Sequence, residues 1–557
     1  MWLLAAAACT KGVEPQIRPC TAAGDTVTLA VNQYTSIDPT TTADSGCSVF
    51  PATTLAAEYL IVPQLTASDT GVQAGFRLVG DTILPAPTPS PSLQSFAELG
   101  SAQRFHMFLR LGDERRSWGF APELAPPASA SPGPRPSATA SPPAYNERRT
   151  FKACATLTCS RFDDVVARAK AINSKVAIFV DSLAPPNGLD STALDSIARV
   201  FDQRLYAIDT AAFGRESDID SNTVVIVLMT NTVNKLVTAS ACTATGFVAG
   251  FFFGADIDPA FRNDSRSNKA EIFYSIVADP TGTLSCPHSG NEVQAFVPVT
   301  FIHEFQHMIS FNQHVLLRGS ASGEILWLNE GFSHYAEELG GRSYELNPSA
   351  RIADCTIGTT PCRFYSGDLL NAYSYLDSTS RHFLLPGSGI GTLAERGAGW
   401  LFVRYLVDQY AVGGTVADWN TLTRSLVRTN LTGAANIEGV TGDLFETIVS
   451  RWALANWVTD AGGAPPELRY DSWNLHSVYI SLHTQRPQLF PNFYPLVPTI
   501  SAGRDVNLSG TLRAGSPIYH RATQPAGDPG FTLSFTAPNG GLLSAARKPR
   551  LNVIRLQ

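Results

Sequence analysis

The stretch "VTFIHEFQHMISF", residues 299–311, decides the reading of this chain. Two histidines, His303 and His307, stand four apart, Glu304 follows the first, and apolar residues lie on both sides. On an α-helix, positions i and i+4 share a face, so both imidazoles can reach one ion. Glu304 is rotated by about 100° from His303, beside such an ion, where a base for an activated water belongs. The plainer alternative is a buried core helix carrying the pattern by chance. The surrounding segment, 291–315, has apolar residues at 293, 296, 297, 302, 305, 308 and 309, which predicts a long, largely buried helix. Pro298 is expected to kink it or mark a break near its start.

A catalytic zinc needs a third protein ligand and an open position. The metzincin pattern is not met, since Ser310 and Gln313 occupy its glycine and histidine positions and His314 comes one residue late. Two candidates remain in "ILWLNEGFSHYAEEL": Glu330, on the next predicted helix, and His334, one turn further on. Glu330 would complete a two-histidine, one-glutamate set, with His334 as a neighbour.

"HEFQH" followed by "WLNEGFSHYAEE" resembles the gluzincin metallopeptidases, over residues 170–410 and most specifically over 300–340. "WLNEGF" is similar to the aminopeptidase N-like family, while "FIHEFQHMISF" in an exported, β-flanked chain looks more like the bacterial hyicolysin family. The resemblance implies an α+β, thermolysin-like (gluzincin, or zincin) catalytic domain. It implies zinc ligands His303, His307 and Glu330, with Glu304 as the catalytic base. Glu337 then falls where such enzymes place a carboxylate that orients a ligand. The aminopeptidases carry an upstream G-x-M-E-N segment that holds the substrate's amine. This chain has none; "AGFFFGADID" offers only Asp256 and Asp258. Internal cleavage of a polypeptide is therefore expected, with an aminopeptidase and a non-catalytic envelope binding protein as rivals. "GFVAGFFFG" (246–254) is either an edge strand that pairs with extended substrate or an interior strand. Tyr365, Tyr373, Tyr375 and His382 are the available donors for an oxyanion.

Around this core the chain is organised in segments. Its 557 residues are enough for several domains. Residues 1–19 read as a leader. "MWLLAAAAC" resembles the end of a bacterial lipoprotein signal, making Cys9 a candidate lipid anchor, or else belongs to an ordinary secretory signal. Residues 20–120 read as a β-rich domain and 121–146 as a Pro/Ala/Ser-rich linker, with a smaller patch of that kind at 84–92. The zinc metallopeptidase domain spans 147–470, strands first and then helices at 324–340, 393–411, 416–429 and 442–459. A second β-rich domain covers 471–557.

Beside Cys9 there are eight cysteines, and neighbour pairing gives 20–47, 154–159, 242–286 and 355–362, as suits an exported protein. Charged residues are only 16% and the net charge is −7, with no basic face to bind nucleic acid. The expected partner is a polypeptide substrate, the expected state a monomer, and the membrane is reached only through Cys9. "DIDSN" (218–222) resembles the start of a calcium loop, but Thr223 and Met229 stand where that loop needs Gly and Glu. A turn into a strand is the expected reading, with an irregular calcium site left open as an alternative that the loop pattern does not support. His106, His288, His476, His483 and His520 are isolated and read as surface or core residues.

Overall fold

The computed structural model describes residues 20, 25–41, 46–81, 99–123, 141–387 and 391–557. The leader with Cys9, the 84–92 patch and most of the linker lie outside the described residues. The chain divides into two compact units. One contains the described residues within 20–67, 72–81 and 498–557; the other contains those within 68–71 and 99–497.

The first unit holds two five-stranded sheets, and each mixes strands from both ends of the chain. Gln73–Gly80 pairs antiparallel with Asn507–Arg513 on one side and with Phe531–Thr536 on the other. Ala57–Leu65 lies between His520–Gln524 and Pro549–Arg555. Phe50, Tyr59, Leu78, Phe531, Leu533, Phe535 and Val553 form a shared core. A separate β domain on each side of the catalytic region is thus replaced by one β unit. Neither half is a finished sheet alone, because its central strands would expose unpaired backbone edges. Two further boundaries shift. Helix α1 (Ser101–Arg115) and the helix Leu475–Gln485 both belong to the second unit.

The second unit is built on a six-stranded mixed sheet. Its strands are β1 (Arg148–Cys154), β2 (Phe162–Ile172), β3 (Val176–Asp181), β4 (Val225–Met229), β5 (Gly250–Phe252) and β6 (Ile272–Ser275). The order across the sheet is β5-β6-β4-β3-β2-β1. β3, β4 and β6 run parallel, and β5 lies antiparallel at the edge. Helices follow the sheet: α2 (Gly290–Phe311), α3 (Leu326–Arg342), α4 (Thr360–Asp377) and α5 (Leu393–Tyr410). The architecture is α+β. The four cysteine pairs occur as read from the sequence. No helix among the described residues is long and apolar enough to cross a membrane.

α2 starts at Ser289, whose hydroxyl accepts from the Glu292 N–H while the Glu292 carboxylate accepts from the Ser289 N–H. This reciprocal cap fixes the helix start. Pro298 does not end the helix, which runs unbroken from 290 to 311. The N–H that proline lacks falls in a stretch, 294–300, that is mostly half-exposed, where water can satisfy the freed carbonyl. From Phe301 to Phe311 every residue is buried, and α3 is buried along its whole length.

Candidate metal centre

α2 and α3 meet through polar groups that would be costly in a plain core. His303 and His307 stand on one face of α2 with ring centroids 4.8 Å apart. Their Nε2 atoms lie 3.7 and 3.8 Å from the two oxygens of the Glu330 carboxylate on α3. The His303 Nδ1 is 2.7 Å from Glu337 Oε1, and the His307 Nδ1 is 2.9 Å from Asn329 Oδ1. Each Nδ1–H thus donates to an oxygen, which fixes the tautomer and turns each Nε2 lone pair toward Glu330; the Ser333 hydroxyl, 3.2 Å from the His307 Nε2, is directed to Gln306 Oε1 at 2.6 Å.

Glu330 is the telling group. It is 3% exposed, and both its oxygens are buried without a hydrogen-bond donor. A buried carboxylate with no donor is expensive unless a cation compensates it. Arg396 Nε at 3.6 Å and Arg110 Nε at 3.9 Å supply part of that compensation. Burial alone would raise its pKa. Arg396, His307, His303 and Arg110 outweigh that effect and hold the carboxyl well below its usual range. Two imidazole nitrogens and an anionic oxygen, converging within about 4 Å and lacking donors, suit a divalent ion of zinc type. A small opening lined by Met107, Leu326, Trp327, Glu330, Glu395 and Arg396 reaches this carboxylate.

Glu304 is also buried, and its Oε2 accepts from the Phe252 N–H at 2.7 Å. One ligand atom from each of His303, Glu304 and His307 lies within 4.8 Å of the others. Burial raises the Glu304 carboxyl above its ordinary pKa, against the pull of Arg110 and His303. A carboxyl shifted in that direction is a better proton acceptor near neutral pH than an exposed one.

His334 stands beside the cluster, its Nε2 3.9 Å from Glu330 Oε2. Its Nδ1 lies 2.8 Å from Asp368 Oδ1 and 3.2 Å from Glu337 Oε1. Burial would lower its pKa, but Glu337 and Asp368 raise it to about 10. Asp368, on α4, was not singled out by the sequence reading. The suggested oxyanion donors have other partners. The Tyr365 hydroxyl faces Glu345, the Tyr373 hydroxyl accepts from the Asn492 N–H, and the His382 ring meets Ser378.

The largest departure from the sequence reading concerns α1. Arg110, fully buried, sends Nη2 to the Phe252 carbonyl at 2.8 Å and Nη1 to Asp113 at 3.0 Å. The same guanidinium lies 3.6 Å from Glu304. His106, one turn earlier, responds to Arg396, Glu330, Arg110 and His303; burial and the two arginines drive its pKa well down. β5 does form the sheet edge. However, the Phe252 N–H and C=O are taken by Glu304 and Arg110, and the Gly254 N–H by Asp113. Backbone pairing of a substrate along this edge at Phe252 would have to displace those bonds. Arg110 escaped notice because its segment falls within residues 20–120, which read as a β-rich domain set apart from the catalytic region.

No family model matches the chain. Over 192 residues, 33% of this chain, it is 29% identical to the neutral metalloprotease ShpI of Staphylococcus hyicus. That match spans 40% of the relative's length.

Proposed function

We propose that the chain is an exported zinc-dependent metalloendopeptidase of gluzincin type, nearest the hyicolysin-like enzymes. His303, His307 and Glu330 would hold the ion and Glu304 would act as general base. The carrying observation is the donor-free Glu330 carboxylate facing two histidine Nε2 atoms, each ring fixed through its other nitrogen. The likeness to a neutral metalloprotease supports the metallopeptidase reading. The four disulfides support folding in an oxidising compartment, hence a secreted or envelope protein.

A bound zinc ion supplies Lewis acidity for a peptide carbonyl and makes a water easy to deprotonate near neutral pH. Glu304 accepts that water's proton and returns it to the leaving amine nitrogen. The Phe252 N–H holds one oxygen of Glu304, so the other is free to face the water. Glu337 and Asn329 keep the histidine rings aligned.

Endopeptidase action is favoured over aminopeptidase action because neither acidic residue of "AGFFFGADID" can anchor a free amine. Asp258 is bound by both arms of Arg116, at 2.8 and 2.7 Å. Asp256 accepts from the Tyr274 hydroxyl and the Asn268 N–H, both at 2.6 Å. The test is cleavage of casein by the zinc-loaded protein beside a Glu304→Gln variant with equal bound zinc. Internal fragments from the wild type only, abolished by chelation, are expected. Equal cleavage by both proteins removes Glu304 from the mechanism. Zinc binding without any cleavage turns the reading to a binding protein, and release of single amino-terminal residues turns it to an aminopeptidase.

A further inference from the structure

A second group of carboxylates converges away from the histidines. Asp218 and Asp220 lie on the loop before β4, and Glu271 immediately precedes β6. One carboxylate oxygen of each lies within 4.8 Å of the other two. Glu271 is only 2% exposed. Its Oε1 accepts from the Ser217 hydroxyl and the Ile219 N–H, but its Oε2 is buried with no partner at all.

Asp218 accepts from the Thr223 N–H and Asp220 from Asn222. Three negative charges at this separation still repel one another, a cost that a bound cation would relieve. None is supplied by the chain: among the described residues, no ion pair reaches Asp218, Asp220 or Glu271. The two arginines whose charges are felt there are turned elsewhere. Arg149 bonds Glu147 and covers the Phe179 ring, and Arg215 bonds the Tyr206 hydroxyl.

We propose that Asp218, Asp220 and Glu271 form a calcium site that ties the loop before β4 to the start of β6. All three ligands are hard carboxylate oxygens, with no nitrogen or sulfur among them, which selects against zinc. The side chains come from an irregular loop and a strand end, and Asp218 is exposed, so water can complete the shell. Calcium accepts six to eight oxygens in uneven geometry, whereas magnesium demands a near-regular octahedron. The spacing in "DIDSN" places two carboxylates at alternate loop positions, as calcium loops do, while Glu271 replaces the distant twelfth-position glutamate from another strand.

The site has structural reach. β4 and β6 are adjacent parallel strands, and the Ile226 N–H donates to the Glu271 carbonyl. The same loop carries Arg215, whose carbonyl accepts from Asn312 and Gln313 at the end of α2. A cation here would brace the sheet and the end of the histidine helix without touching the chemistry. The inference stands whether or not the chain is a peptidase.

The test titrates calcium chloride into the full-length, zinc-loaded protein by calorimetry, with thermal melting alongside. Zinc loading keeps calcium from reporting on the histidine site. One calcium per chain is expected, binding at or below about 1 mM, with a raised melting midpoint. Asp218→Asn, which keeps the acceptor for the Thr223 N–H, should fold normally and bind at least about tenfold more weakly. Glu271→Gln should do the same. The proposal is overturned if the wild type shows no saturable binding, if both variants bind as tightly as the wild type, or if magnesium binds equally well.

Discussion

Arg110 places Nη2 3.6 Å from Oε2 of Glu304, inside the same buried cluster that contains Glu330. Asp113 also faces this guanidinium. One cation thus compensates three carboxylates, and a bound divalent ion would share that task. Removing one partner of a buried charge group usually costs about 3–5 kcal/mol. Arg110→Ala is expected to lower the melting midpoint of the metal-free protein more than that of the zinc-loaded one. Melting both forms of wild type and variant checks this. An equal loss in the two forms means that Arg110 and the ion do not share the charge.

Glu337 and Asn329 hold the two histidine rings through Nδ1. Loss of such a partner typically weakens metal binding by about 10–100-fold. Glu337→Ala and Asn329→Ala should each do so in competition with a chromogenic chelator. Glu337→Gln keeps an acceptor for the His303 Nδ1–H and should recover part of the affinity. A variant that melts earlier but binds zinc as tightly as the wild type would assign its residue to folding alone.

Asp256 yields a prediction for pH. Burial raises its pKa to about 7, even though the Tyr274 hydroxyl and Asn268 favour the charged form. The ordinary value is 3.8, so the folded state holds a proton that the unfolded chain has released. Its contribution is fully present below about pH 4 and is lost as pH rises through about 7. The stability of the wild type minus that of Asp256→Asn should therefore fall by up to about 1.4 kcal/mol per pH unit across that window. Denaturant melts of both proteins at pH 4, 5, 6 and 7 measure it, and a flat difference would refute the assignment.

The sequence was most legible where chemistry and helical periodicity coincide. His303, Glu304 and His307 declare a shared face through spacing alone, and the Asn329-Glu330 pair lies on the very next helix, so the cluster could be anticipated. The disulfide pairs were legible because the partners are neighbours along the chain. Arg110 and Asp368 were not, because a guanidinium or carboxylate enters a buried site through tertiary packing that leaves no local pattern. The single β unit was hidden for a similar reason. Alternation marks the buried face of Gln73–Gly80, but nothing local says that its partner is Asn507–Arg513. Glu271 stayed hidden too, since it reaches the Asp218 loop from a different strand.

The same substitution at two glycines should have opposite signs. Glycine in a helix interior is less favourable than alanine by about 0.5–1 kcal/mol. Gly367, on α4, has open space where a Cβ would go, so Gly367→Ala should stabilise by roughly that amount. Gly331 follows Glu330 on α3, and a Cβ there would fall 2.9 Å from Val403 Cγ2 and 3.0 Å from the Gly399 carbonyl oxygen. The valine methyl can rotate, but the backbone of α5 cannot yield without moving the helix. Overpacking of this kind costs about 1–3 kcal/mol and exceeds the propensity gain. Gly331→Ala should therefore destabilise the protein. It should also weaken zinc binding, because the α3–α5 contact that must open lies one residue from Glu330. Gly367→Ala should leave zinc affinity unchanged. If both variants were stabilised and bound zinc normally, the close crossing of α3 and α5 would not be what sets the position of Glu330.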